Sequence, residues 1–223
     1  MNKTLSLIAR AYQDPLSRIS LAVDLLPILA IFAFGWGAAP LVALYWLENL
    51  VIGAFTLLRM VSTGFYNRGM FALFLFTGPF FCVHYGIFCY GHGLFLRTLS
   101  APNDPGTSFT GLIEWALASG PWMPAFLAAI IAVNAAYFAL DYIGRGEAAK
   151  ANPFAEMFMP YDRIITLHVA IILGTMLTLG LGQPLLGVLL LLTLRVAYGL
   201  LQATRRRKKR DAQLAEGVEL ATV

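Results

Sequence analysis

The sequence predicts an all-α, polytopic membrane helix bundle with six transmembrane helices and both termini in the cytoplasm. Three observations lead there. Of 223 residues, 59% are hydrophobic and 13% are charged, about half the charge of an ordinary soluble chain. The apolar residues fall into six runs near the length of about 20 residues that a helix needs to cross a hydrocarbon core of about 30 Å. Lysine and arginine lie almost wholly on one side of the resulting topology. With 20 Gly, 11 Pro and 2 Cys, the composition excludes collagen-like and disulfide-rich folds, and its apolar content excludes a disordered chain.

The domain organisation follows from these runs. Residues 1–18 form a cytoplasmic N-terminal segment, 19–203 the six-helix domain with an external loop at 97–122, and 204–223 a basic cytoplasmic tail. Leu5, Leu7, Ile8 and Ala9 suit an interfacial helix, and Asp14–Arg18 an entry segment. The first span is Ile19–Trp36, retained rather than cleaved because no small-residue cleavage site follows it. The second is Pro40–Val61. The third, Met70–Leu96, contains Thr77-Gly78-Pro79, where a tilt or kink is expected. The fourth is Met123–Ile143, the fifth Ile164–Leu181 and the sixth Leu185–Ala203.

This arrangement puts 14 of the 16 basic residues inside, with Arg97 outside and Arg195 within the membrane. The charge of +4 is therefore topological. Arg205, Arg206, Arg207, Lys208, Lys209 and Arg210 directly follow the last span and suit anionic lipid headgroups. They lack the aromatic interleaving or folded reader that nucleic-acid binding needs. The loop Arg97–Trp122 carries an amphipathic turn at Leu112–Leu117, with Trp115 and Trp122 suited to an interfacial belt. It is an interfacial loop, with a lid over an external cavity as the alternative. Cys82 and Cys89 are seven residues apart on one helix, about 10.5 Å in axial rise, which is too far for a disulfide; both read as small core residues.

Candidate functional residues are the polar groups inside apolar runs, because a charge at the bilayer centre is costly and turns toward partners in the bundle. At about 1.5 Å per residue from the external boundary, Glu48, Asn134 and Arg195 fall about 13–16 Å deep, and Asp24, His84 and His168 about 18–20 Å. Six helices thus contribute polar groups at similar depth. Glu48 and Asn49 sit in Tyr45-Trp46-Leu47-Glu48-Asn49. Glu48 shares a helix face with Arg59 but is too distant to touch it, so Arg59 snorkels toward the cytoplasmic surface and Glu48 pairs with Arg195 or a histidine. Gly86, Gly91 and Gly93 permit close helix approach. Asp162 and Arg163 cap and charge the start of the fifth helix.

Three readings of this polar set remain open. Glu48, Asn49, His84, His168, Arg195 and Asn134 form a site that binds or conducts an ion, a proton or a small polar ligand. Alternatively, His84, His168 and Glu48, with His92 as a weaker candidate, hold a divalent metal or a haem in a membrane-embedded enzyme. The third reading is a structural or assembly subunit in which the polar groups lock helix packing.

At Tyr45–Asn49, at His84-Tyr85-Gly86 with Gly91-His92-Gly93, and at Arg163-Ile164 with His168, the chain resembles a family of uncharacterised bacterial integral membrane proteins. The resemblance covers roughly Ile19–Ala203. It implies a multi-pass protein of the bacterial inner membrane and supplies no activity, substrate or cofactor. Phe80 four residues before His84 is similar to a motif of the intramembrane prenyl-protein proteases. Asn49 stands where their second glutamate would be, and Ile172 where Asn or Asp would follow His168, so that match is set aside.

Overall fold

The computed structural model describes Tyr12, residues 15–100 and 108–161, and a scatter of residues between 164 and 212. The elements assigned within it are all helical. Four helical stretches are long and apolar enough to cross a membrane: Pro15–Phe34, Ala38–Tyr66, Arg68–Ser100 and Met123–Ile143. Most of the fifth predicted span and about half of the sixth lie outside the described residues, as do the first ten residues.

Helix α1, Pro15–Phe34, starts four residues before the predicted boundary. Pro15 opens it, a position where the missing N–H costs nothing, so Leu16–Arg18 belong to its first turn. Gly35, at φ +64°, ends it, and Trp36 folds back so that its ring lies 4.8 Å from that of Phe126, tilted by 45°. Helix α2, Ala38–Tyr66, and helix α3, Arg68–Ser100, form an antiparallel hairpin joined by the single residue Asn67. The Asn67 N–H donates to the Thr63 carbonyl at 2.9 Å, and its side-chain oxygen accepts from Gly69 N–H at 3.1 Å, so the side chain caps the next helix. At 29 and 33 residues, these helices are about 43 and 50 Å long, well beyond a hydrocarbon core. Helix α3 runs as one element through Pro79. Thr77 donates its hydroxyl to the Leu73 carbonyl at 3.0 Å on the preceding turn.

Two close approaches fix the hairpin. Gly93 lies against the Trp46 indole, where a Cβ would come within 2.8 Å, and Gly53 lies against the Tyr85 ring. Positions 86 and 91 face open space. Of the three glycines expected to admit a neighbour, only Gly93 does so among the described residues, because packing depends on which face α2 covers. Cys89 is buried, whereas Cys82 is exposed. Their 700° separation along the helix at 100° per residue leaves them about 20° apart in angle, but beside Cys82 the buried face runs through Gly78, Phe81 and Tyr85, which leaves Cys82 to one side of it.

The predicted external loop holds helix α4, Phe109–Ala118, capped by Ser108, whose side chain accepts from Gly111 N–H. Its Leu112 and Ala116 are fully buried against the Trp46–Gly93 contact. The segment is thus a packed cap over the Trp36 end of the hairpin. Arg97 is buried there too, under α4 beside Gly111. Trp122 is exposed and takes a left-handed backbone at φ 63° before α5, Met123–Ala136.

Helix α5 passes without a break into a π-helix, Tyr137–Ile143. The two together match the predicted fourth span at both ends. The wider turn is closed by Gly144 N–H donating to the Ala139 carbonyl at 2.9 Å. A Cβ at Gly144 would come within 2.8 Å of the Leu140 carbonyl oxygen. Two short helices follow, α6 at Glu147–Lys150 and α7 at Pro153–Phe158. Helix α2 is the centre of the assembly, in contact with α3, α4, α5, the π-helix, α6 and α7; α1 packs on α5.

Candidate buried polar site

Tyr45, Glu48 and Asn49 occupy positions i, i+3 and i+4 of α2, so one helix turn presents all three on neighbouring positions. They are 4%, 5% and 3% exposed, the burial of a core residue. Around them α2 is buried without interruption from Ala43 to Asn49, and Leu41, Leu44, Trp46 and Leu47 supply an apolar wall. Burying a carboxyl, an amide and a phenol in such a wall is unfavourable without compensation. Asn49 is compensated in part. Its backbone carbonyl accepts the Tyr85 hydroxyl proton at 2.9 Å. Its side-chain Oδ1 is buried with no hydrogen-bond partner among the described residues.

The two faces of α2 do different things. Trp46 and Gly53 meet α3: the Trp46 indole N–H donates to the Cys89 carbonyl at 2.7 Å. Phe55 and Arg59 meet the π-helix, through Phe138 and Tyr142. Glu48, seven residues before Phe55 and eleven before Arg59, lies about 20° from each in angle and about 160° from Trp46. Glu48 therefore belongs to the π-helix side of α2, and the Tyr85 contact at Asn49 to the α3 side.

His84 stands at the midpoint of α3. Its Nδ1 is 2.6 Å from the Tyr161 hydroxyl. The imidazole continues a ladder of rings at four-residue spacing: Phe76 stacks on Phe80, Phe80 on His84 at 5.3 Å and 13°, and Phe88 lies 5.1 Å beyond. Tyr161 also meets the Tyr85 ring edge-on at 6.3 Å, and the Tyr85 and Cys89 side chains are hydrogen bonded. Met60, Phe81, Met157 and Ile164 enclose this group. Tyr161 comes from just after α7, before the predicted start of the fifth span, and nothing in the local sequence marks it as the partner of His84.

The other sequence-predicted candidates part company. His92 is buried on α3, two turns from His84. Asn134 is half-buried and gives its amide N–H to the Ile130 carbonyl of its own helix at 2.9 Å, so it braces α5 instead of reaching across the bundle. His168 and Arg195 lie outside the described residues, as do Asp162, Arg163, Arg206, Lys209, Arg210 and the side chain of Asp24. Among the described residues, no group of three or more His, Cys, Asp or Glu is arranged to hold a metal ion. Arg207 pairs with Asp211 at 3.0 Å, and both are helical.

Arg59 has partners of its own. Its guanidinium lies 4.5 Å over the Tyr142 ring, with Nη1 3.5 Å from the Glu156 carboxylate and 3.4 Å from Met159 Sδ. The Tyr142 hydroxyl donates to the Arg59 carbonyl at 3.2 Å. The π-helix makes this possible, since the wide turn holds Asp141 and Tyr142 inward, both buried. Such turns recur at functional positions in helices.

Fold and site together define an all-helical protein with several helices apolar and long enough to span a membrane and a buried polar turn on its central helix. The chain belongs to DUF6498, a family of unknown function whose model matches residues 6–216. No curated protein and no solved structure matches it.

Proposed function

We propose that the protein is a multi-pass membrane protein in which polar groups centred on the buried Glu48 and Asn49 and the half-buried His84 bind or conduct an ion, a proton or a small polar ligand. The observation that carries this reading is the Tyr45–Glu48–Asn49 turn. Three polar side chains are buried on the central helix, and one carries an amide oxygen with no hydrogen-bond partner among the described residues. Buried polar groups are ordinarily satisfied, and ionisable groups inside membrane segments mark ligand or proton pathways.

The same reading orients the molecule. Arg59, Arg68, Arg145 and Lys150 gather at the α2–α3 hairpin end, which the positive-inside rule assigns to the cytoplasm; the α4 cap then faces outward. The basic run from Arg205 adds contacts to anionic lipid. The resemblance to bacterial inner-membrane proteins supports that membrane as its location. The test is ion and proton flux in proteoliposomes made with purified protein. Flux that falls in Glu48→Gln supports the reading. Wild-type vesicles that leak no faster than empty ones, or a Glu48→Gln variant with unchanged flux, contradict it.

A further inference from the structure

We infer that His84 and the rings stacked beside it form a lipid-facing site for a flat, membrane-soluble carbonyl compound of the quinone class. The site goes beyond the proposed function and rests only on its membrane reading. It lies on α3, away from the Glu48 side of α2, and its ligand enters from the bilayer.

One polar ring interrupts an apolar face. Around the middle of α3, Phe80, Val83, Ile87 and Phe88 are exposed. His84 lies among them, half-buried. Lipid tails offer no hydrogen-bond partner at mid-depth, and an unpaired N–H there is costly. One of the two imidazole nitrogens is provided for: Nδ1 is 2.6 Å from the Tyr161 hydroxyl. Imidazole nitrogen is a stronger base than a phenol oxygen, so the phenol donates to Nδ1, and the proton of the neutral ring sits on Nε2. The two ring nitrogens point in different directions, so Nε2–H aims away from Tyr161. Among the described residues it has no hydrogen-bond acceptor. An acceptor that dissolves in the bilayer would complete it.

The neighbours define the rest of the ligand. Phe80 stacks on the imidazole at 5.3 Å and 13°, and Phe88 lies 5.1 Å away on the next turn. Aromatic surfaces of this kind suit a flat ring. Gly91, seven residues after His84, lies about 20° from it in angle and faces open space. The face above His84 therefore has a gap where another residue would project a side chain. Val83 and Ile87 flank the imidazole with exposed branched chains, which suit an isoprenoid tail. A quinone unites a planar ring, carbonyl oxygens that accept hydrogen bonds, and an apolar tail. A phospholipid headgroup stays at the interface, and a cation is repelled by a donor N–H, so neither matches this site.

The test is calorimetric titration of the purified protein in detergent with a short-chain benzoquinone carrying one isoprene unit, with uptake into empty micelles subtracted. The wild type should bind it saturably. His84→Phe keeps a ring in the stack and removes both nitrogens; affinity should fall at least about tenfold, the scale of losing a hydrogen bond in an apolar setting. Gly91→Leu, which fills the gap, should weaken binding without touching a polar group. Glu48→Gln should leave it unchanged. The aromatic hydrocarbon of the same shape, which lacks the carbonyls, should bind the wild type at least about tenfold more weakly than the quinone. Thermal melting shows whether each variant is folded; if His84→Phe is not, the hydrocarbon comparison on the wild type decides. No saturable binding to the wild type, equal affinity in folded His84→Phe, or equal affinity for the hydrocarbon each overturns the site. None of these outcomes touches the proposed function, which stands or falls on flux in Glu48→Gln.

Discussion

Gly53 and Tyr85 meet face to ring: a Cβ at position 53 would stand 2.5 Å from Tyr85 Cε1 and 3.0 Å from Cδ1. The ring cannot retreat, because its hydroxyl is tied to Asn49 and its other side stacks on Phe81 at 4.7 Å. Gly53→Ala should therefore destabilise the hairpin by about 1–3 kcal/mol, the usual cost of overpacking. Gly86→Ala, which faces open space, should change stability by less than about 0.5 kcal/mol. Melting temperatures in one detergent compare the two; equal losses would contradict the packing described.

The Trp46 indole is the second tie between α2 and α3. It donates to the Cys89 carbonyl across 43 residues of sequence. Trp46→Phe keeps most of the apolar surface and removes one of two donors to that carbonyl, the other being the Gly93 N–H of its own helix. The expected cost is about 0.5–1.5 kcal/mol, read by the same melting assay. A variant as stable as the wild type would show that water or another group replaces the indole.

Arg59 joins α2 to the π-helix and α7. Its pair with Glu156 is long at 3.5 Å and partly exposed, at 23% and 12%, so Glu156→Gln should cost only about 0–1 kcal/mol. Arg59→Ala also removes the guanidinium from the Tyr142 ring, worth about 0.5–2 kcal/mol, and should be the more damaging change. Hydrogen exchange in Glu147–Phe158 is the local readout. Faster exchange in Arg59→Ala than in Glu156→Gln is expected, and the reverse order would mean that the ion pair dominates.

The proposed orientation predicts the sidedness of two exposed or half-buried sites. A cysteine introduced at Asn67, in the hairpin turn, should resist a membrane-impermeant maleimide in intact cells and react after permeabilisation. A cysteine at Ser119, after α4, should react in intact cells. The opposite pattern would invert the topology.

Some of this was legible in the residues and some was not, for physical reasons. The Met123–Ile143 run has a loop before it and a glycine after it, so both its ends could be read directly. Glu48 stood out because a carboxyl inside an apolar run needs an explanation. Tyr45 could have been found with it, since its i−3 spacing from Glu48 is a helix-face signal. Tyr161 could not, because its link to His84 is made by tertiary packing of a segment 77 residues away. The π-helix was hidden for another reason: one extra residue in a turn leaves the apolar pattern almost unchanged, while it redirects Asp141 and Tyr142. Cys82 was misplaced because the buried face drifts around a long helix, and beside Cys82 it runs through Phe81 and Tyr85.

The central claim is that the Tyr45–Glu48–Asn49 turn works as a ligand or proton site and not as a packing device. The most direct test measures flux and melting temperature together for Glu48→Gln and Asn49→Leu, both close to the native side chains in size. A functional site predicts that flux is lost while the melting temperature stays within a few degrees, about 1 kcal/mol or less. Full flux with a sharply lowered melting temperature would contradict it and leave the polar turn as a lock on helix packing.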